Sequence, residues 1–447
     1  MLRRFAISFV LIALGIACHA RTRPHYGGTL RVEIEGDPWQ RPDGMARRLV
    51  FDGLTRVNRD GTVSPALAVR WSSEADNHRW QFWLRTGIHF SDGTGITSAD
   101  VVTSLNASCP SDCPWTAVRA AGSSVIFTGD MPMPVLPSLL ASDAYLISKS
   151  GASSEFATGG LVGTGAFQPA GFANGTLTLA ANENGWQGRP FVDAIQLRVH
   201  RSIHDQWLDL GLGRADVVEV PAEQMRAAQQ QHFAVISAPL VTLLAIEISD
   251  NGALSNPLLR ASIAASIDRS VLSNVIFQKQ AEVTASVLPA RISGYSFLFP
   301  PDRDLNRAHD LRGGLTPRQL NLAYQGGPTM QLTAQRIALN LREAGFNVQP
   351  TNAFPRGDLT LRTINLEDGN PRSALESILR DTDAPAAIPD SSPSALYKVE
   401  HEFLEHHTLV PLLYLPRMFA ISGRLHDMTL DAAGFPDLAN VSLGDTP

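Results

Sequence analysis

Three histidines and two glutamates crowd into His401-Glu402-Phe403-Leu404-Glu405-His406-His407. A helical zinc hydrolase needs histidines four residues apart, with a glutamate beside the first, so that both imidazoles reach one ion. Here Glu405 takes that fourth place and the next histidine comes one residue later. His401 and Glu405 still share a helix face, and a metallohydrolase built on His401, Glu405 and His406 is the rival class; the ligand count favours a solvated helix end. Gly163-Thr164-Gly165 opens like a dinucleotide turn, but Gln168 occupies the third glycine's place and no helix is signalled. The chain has no Gly-x-Ser-x-Gly elbow and no phosphate loop. Its 43 carboxylates single out no acid-base pair. Neither an enzyme nor a cofactor is expected.

The cysteines are read for an oxidising compartment, which the N-terminal leader over residues 1–20 implies. Cys109 and Cys113 frame Pro110-Ser111-Asp112, and two cysteines four apart around a turn are expected to close a small disulfide. A zinc site would need a further pair of ligands nearby. The third cysteine, Cys18, follows the apolar run Phe5 to Ala17, itself preceded by Arg3 and Arg4. That layout reads as a signal peptide over residues 1–20, too short to span a bilayer comfortably. Two endings stay open: cleavage after Ala20, or lipidation at Cys18, where Leu14-Gly15-Ile16-Ala17-Cys18 resembles a lipoprotein box with Gly15 in the leucine position.

Over 447 residues the chain is 44% hydrophobic and 18% charged, enough for two or three domains with large cores. A net charge of -6 supplies no basic field, so no nucleic-acid partner is expected.

The elements follow from pattern. Gly27 to Ile34 reads as the first strand, and Arg79 to Arg85 as an alternating aromatic strand. Leu84 to Phe90 reads as a further short strand ended by Ser91-Asp92-Gly93. Thr97 with Asp100 predicts a capped helix burying Val101, Val102 and Leu105. Leu243 to Ile248 is apolar enough for a buried strand. Leu320 to Tyr324, the amphipathic stretch Ala334 to Ala344 closed by Gly345, and Phe346 to Val348 predict a parallel strand pair joined by a right-handed helical crossover.

Several of these stretches carry specific wording. Leu84 to Val102 (LRTGIHFSDGTGITSADVV), Phe51-Asp52-Gly53-Leu54, Pro65 to Trp71, Gly163 to Phe167, Asn184 to Pro190, Asn256 to Arg269 and Val410-Pro411-Leu412 occur in order. Together they resemble the extracellular solute-binding proteins of the peptide and nickel class (family 5), receptors for ABC importers. The resemblance implies an α/β, two-lobed, type II periplasmic-binding-protein-like fold with an inserted small α+β domain. Lobe I would comprise 24–48, 164–248 and the return 412–447, the insertion 49–163, and lobe II 249–411. It further implies an oligopeptide or related small solute held between closing lobes, an ABC permease as partner, a monomer, and a periplasmic or extracytoplasmic location. A fold retained as a sensor or scaffold is the alternative. Carried onto this chain, the ligand residues would be Glu367 and Asp368, with Asn370 standing where relatives carry an acid before proline, and Glu33 and Trp39 where the first strand ends.

Overall fold

The computed structural model describes residues 25–447 except 38, 40–43, 59–60, 110–112, 150–160, 296–297, 316–318, 356, 367–370, 383, 385–387, 390–391, 432 and 445–447. Among them a mixed sheet of eleven strands runs through both lobes. In lobe I, Thr29–Glu33 lies between Ala194–Arg198 and Val217–Glu219, parallel to both. Thr176–Ala181 and Phe167–Ala173 extend this half antiparallel. Alternation sets the burial: Ile195 and Leu197, like Leu177 and Leu179, point into the core while their neighbours are half-exposed. In lobe II, Leu320–Ala323 lies between Val348–Thr351 and Leu359–Asn365, again parallel. The expected parallel pair is therefore present, crossed by the helix Pro328–Glu343, which starts six residues before the amphipathic stretch suggests because Pro328 fits its first turn.

Two long strands join the halves. Ala234–Ile248 and Leu409–Ile421 pair antiparallel along nearly their whole length. Their register shifts between Ser237 and Leu240 and between Leu240 and Thr242, opposite Pro416, which has no N–H to give to the ladder. These interruptions fall where one lobe passes into the other.

The inserted domain has its own core. Ala68–Ser73, Arg79–Leu84, Ser124–Thr128 and Ala117–Ala121 form an antiparallel sheet in that order. Phe82 and Phe127 meet edge to face at 5.4 Å between ring centres, and both are fully buried. The helix Ser98–Ser108 starts with the expected box: the Thr97 side chain accepts from the Asp100 amide while the Asp100 carboxylate accepts from the Thr97 amide. Val101 and Leu105 are fully buried and Val102 is half-buried. Leu84 to Phe90, however, is no strand. The strand ends at Leu84, Gly87 turns the chain with φ +74°, and only His89 makes an isolated bridge, to Gly95.

Gly163 and Gly165 owe their place to backbone packing. A Cβ on Gly163 would lie 2.0 Å from the Val50 carbonyl oxygen, and one on Gly165 2.4 Å from that of Leu49. The chain returns from the insertion through that contact, with the Gly165 amide donating to Val50 at 3.0 Å. Thr164 and Trp186 both donate to the Asp52 carboxylate at 2.9 Å, tying three motif segments together. Burial pushes the Asp52 carboxyl up, against the pull of those two donors.

Candidate ligand cleft between the lobes

Strand direction locates the cleft. In lobe I, Val217 pairs with Ile421 and Glu219 with Phe419, so the strand's carboxyl end points toward the middle of the long strand Leu409–Ile421. In lobe II, Leu359 pairs with Ile248 and Asn365 with Thr242, so that strand also ends at the middle of a crossing strand. Both lobes turn the carboxyl ends of their parallel strands toward the same junction. That is where open α/β sheets bind ligands.

The junction is polar and tightly tied. The Leu366 amide donates to the Val241 carbonyl at 2.8 Å, and the Thr242 hydroxyl to Asn365 Oδ1 at 2.8 Å. On the lobe I side the Glu35 amide donates to Glu219 Oε2 at 2.6 Å. Gln206, fully buried on the helix Ile203–Gly211, accepts from the Glu219 amide at 2.9 Å and donates to its carboxylate at 3.2 Å. Burial raises the Glu219 carboxyl, partly offset by the Glu35 amide and Gln206; the Glu35 charge adds to the rise and Arg417 opposes it. Arg417 and Arg48 both lie over the Phe435 ring, 4.4 and 4.3 Å from its centre. Gly434, with φ +80°, lets this C-terminal segment press onto the crossing strands: a Cβ there would meet Val241 at 3.0 Å and both Ala238 and Arg417 at 3.1 Å.

The residues singled out from sequence distribute unevenly around this junction. Glu367, Asp368 and Asn370 lie outside the described residues; their flanks are Leu366, bonded to the crossing strand, and Pro371, the start of the helix Pro371–Asp381. Trp39 is half-buried beside the lobe I core, its amide donating to Asp37 Oδ1 at 2.8 Å. Glu33 is fully buried, facing Arg198 at 3.0 Å and Arg201 at 3.5 Å, with Asp209 also bridged to both arginines. Its carboxyl is raised by burial, against the Arg198 hydrogen bond. That carboxylate is engaged by the two lobe I arginines. Cys18 lies outside the described residues. Cys109 and Cys113 are joined as a disulfide, Cα to Cα 5.6 Å, at the end of the insertion's helix.

At the histidine-rich helix end Glu402, Glu405 and His406 are exposed, while His401 and His407 are half-buried. His401 stacks on Phe299 at 4.8 Å and on Tyr397 at 5.9 Å, and His407 Nδ1 lies 2.9 Å from the Leu404 carbonyl. Among the described residues no group of three His, Cys, Asp or Glu side chains is arranged to hold a metal ion, and no helix is long and apolar enough to cross a membrane. Glu219, Gln206 and Arg417 were not singled out from sequence. For Glu219 a signal existed, since Asp216-Val217-Val218 already marks a strand whose end falls there.

The family model for bacterial extracellular solute-binding proteins, family 5 Middle, matches residues 62–394. A probable di/tripeptide-binding protein 5 of Pseudomonas aeruginosa is 24% identical over 353 residues, covering 69% of this chain and 67% of that protein. The HTH-type transcriptional regulator SgrR of Yersinia enterocolitica is 28% identical over 184 residues, 40% of this chain; the match spans only 33% of the regulator's length. Among solved structures, AgaA from A. tumefaciens R10 in complex with agropinic acid superposes with a TM-score of 0.81 at 18% identity, covering 94% of this chain and 99% of that one. That likeness shows a shared two-lobed α/β fold. With the family match covering most of its length, the chain belongs to the bacterial extracellular solute-binding proteins, family 5.

Proposed function

We propose that the chain is the extracytoplasmic receptor of an ABC importer, holding a peptide or related small solute between its lobes and delivering it to a membrane permease. The observation that carries the reading is the convergence of both lobes' strand ends on a junction crossed by two register-shifted strands. Such interruptions are where a hinge absorbs backbone rotation, and closure around solute is the signal a permease reads. Glu367, Asp368 and Asn370, with Trp39 on the opposite lobe, are the proposed solute contacts; Glu33 supports the lobe I wall from beneath. A carboxylate in that segment suits a ligand ammonium group. Export through the leader, with or without a lipid at Cys18, and action as a monomer belong to the same proposal.

Native mass spectrometry of gently purified protein, followed by denaturation, tests it. The expected result is a one-to-one solute, released as short peptides or as one discrete small molecule, whose retention falls about tenfold in Asp368→Ala. No released species, together with no stabilisation by peptide, opine or metal-chelate panels, would refute it. The match to the regulator supports a second reading, in which the same cleft reports a solute instead of delivering one. Uptake by vesicles reconstituted with the permease separates delivery from reporting.

A further inference from the structure

The lobes also touch through side chains beside the strands that join them. The Thr329 hydroxyl donates to Glu223 Oε1 at 2.6 Å. Glu223 lies in the single turn Ala222–Gln224, directly after lobe I's strand Val217–Glu219. Thr329 is the second residue of the lobe II helix Pro328–Glu343, which follows the strand Leu320–Ala323. Both therefore sit at the carboxyl ends of their strands, facing the junction.

The setting favours a removable contact. Gly327 caps the helix without a side chain, so a carboxylate from the other lobe supplies the negative partner at the helix's positive end. Both residues are half-buried, and Met225, two residues after Glu223, and Met330, next to Thr329, pack against one apolar cluster shared by the two lobes. Methionine adapts to shifting surfaces at low cost. The joining strands are interrupted in register, so they do not by themselves lock the lobes.

We propose that Glu223 and Thr329 form a latch that keeps a fraction of the molecules closed before any solute arrives. A hydrogen bond to a charged acceptor shifts a two-state balance by about tenfold or more, comparable to the usual preference between open and closed forms. The latch thereby sets the resting population, and with it the solute affinity. It rests on the receptor reading only in requiring that the lobes separate.

Single-molecule energy transfer on solute-free protein provides the test. Dyes replace Phe172 on lobe I and Leu339 on lobe II, both exposed, with Cys109 and Cys113 left oxidised. The wild-type distribution is expected to contain a compact population. Thr329→Val and Glu223→Ala should each lower the compact-to-extended ratio about tenfold, Thr329→Ser should retain it, and the double variant should shift no further than either single one. Variants that match wild type, or a wild type without compact molecules, would overturn the latch. Since no solute enters the experiment, failure to find one leaves this result standing, and loss of the latch leaves the solute question untouched.

Discussion

The two lobes solve the same electrostatic problem in opposite ways. Lobe I buries Asp216 completely and surrounds it with side-chain cations: Arg31 donates through Nε and Nη2, both at 3.0 Å, and Arg424 through two nitrogens at 2.7 Å. Burial alone would raise this carboxyl, but the Arg424 and Arg31 hydrogen bonds outweigh it and hold it at about 2. Lobe II buries Glu400 just as completely and gives its carboxylate backbone amides, Val287 at 2.6 Å and Leu288 at 3.2 Å, together with the Tyr295 hydroxyl. Burial dominates there, and the carboxyl is pushed up to about 7. Lobe II's buried arginines are also engaged by carbonyls. Arg269 donates to Pro411 at 2.9 Å and to Pro301 at 3.2 Å, and Arg260 to His406 and Leu254 as well as to Asp250. Asp216 is neutralised mainly by side-chain cations, whereas Glu400 and Arg269 are engaged mainly by backbone groups.

The largest effect should come from lobe I. Asp216→Asn leaves two guanidinium groups facing a neutral amide, and breaking a buried pair from one side costs about 3–5 kcal/mol. Urea unfolding should show the loss; a change below about 1 kcal/mol would mean the pairs contribute little. In lobe II, Arg269→Met orphans the carbonyls it serves and takes a cation from near Asp302, which makes no direct ion pair with it, for a loss of about 1–3 kcal/mol by the same assay. A larger loss than that of Asp216→Asn would reverse the comparison.

Acid and base should then act on different lobes. Asp216 has a folded value depressed from 3.8 to about 2, so its contribution is present above its unfolded value and lost as pH falls from about 4 to 2. Glu400 is raised from 4.5 to about 7, so the folded state holds the proton longer; its own contribution is fully present below about pH 4.5 and is lost as pH rises through about 7. Glu400→Gln should flatten that decline by roughly 1–3 kcal/mol between pH 5 and 8, read as melting temperature against pH. An unchanged slope would place the titration elsewhere. The smallest effect belongs to the junction: Thr242→Val removes the hydrogen bond to Asn365 and should cost about 1 kcal/mol in unfolding while weakening solute retention in the native spectrum. Unchanged retention would remove Thr242 from the cleft's support.

Local patterns are legible in the sequence. Thr97 and Asp100 form their box because the spacing is self-sufficient. The misread stretch after Leu84 shows the limit, since Gly87 turns the chain inside what looks like an apolar continuation. Glu400 was overlooked beside the histidines, although Leu396, Val399, Phe403 and Leu404 mark an apolar face that it shares at helical spacing. No pattern around Val287 or Leu288 announces that their amides meet its carboxylate. Glu33 shows the opposite limit: the strand end was correctly located, but whether its side chain faces the cleft or Arg198 depends on the sheet's partners. The Glu223 and Thr329 contact joins residues 106 apart and leaves no local trace.

The neck of the insertion has a consequence in terms of chain topology. The Gly165 amide meets the Val50 carbonyl at 3.0 Å and the Ile147 amide meets that of Asp52 at 2.8 Å, so the module leaves and re-enters the lobe through one closed gate. With its ends already held together, the length between them adds only slowly to the entropy of closing the loop. Other ties cross the neck, among them the Arg48–Asp143 ion pair at 2.9 Å and the Trp186 bond to Asp52, so joining residue 50 to residue 165 through a short glycine-rich bridge should leave a lobe I that folds with reduced stability.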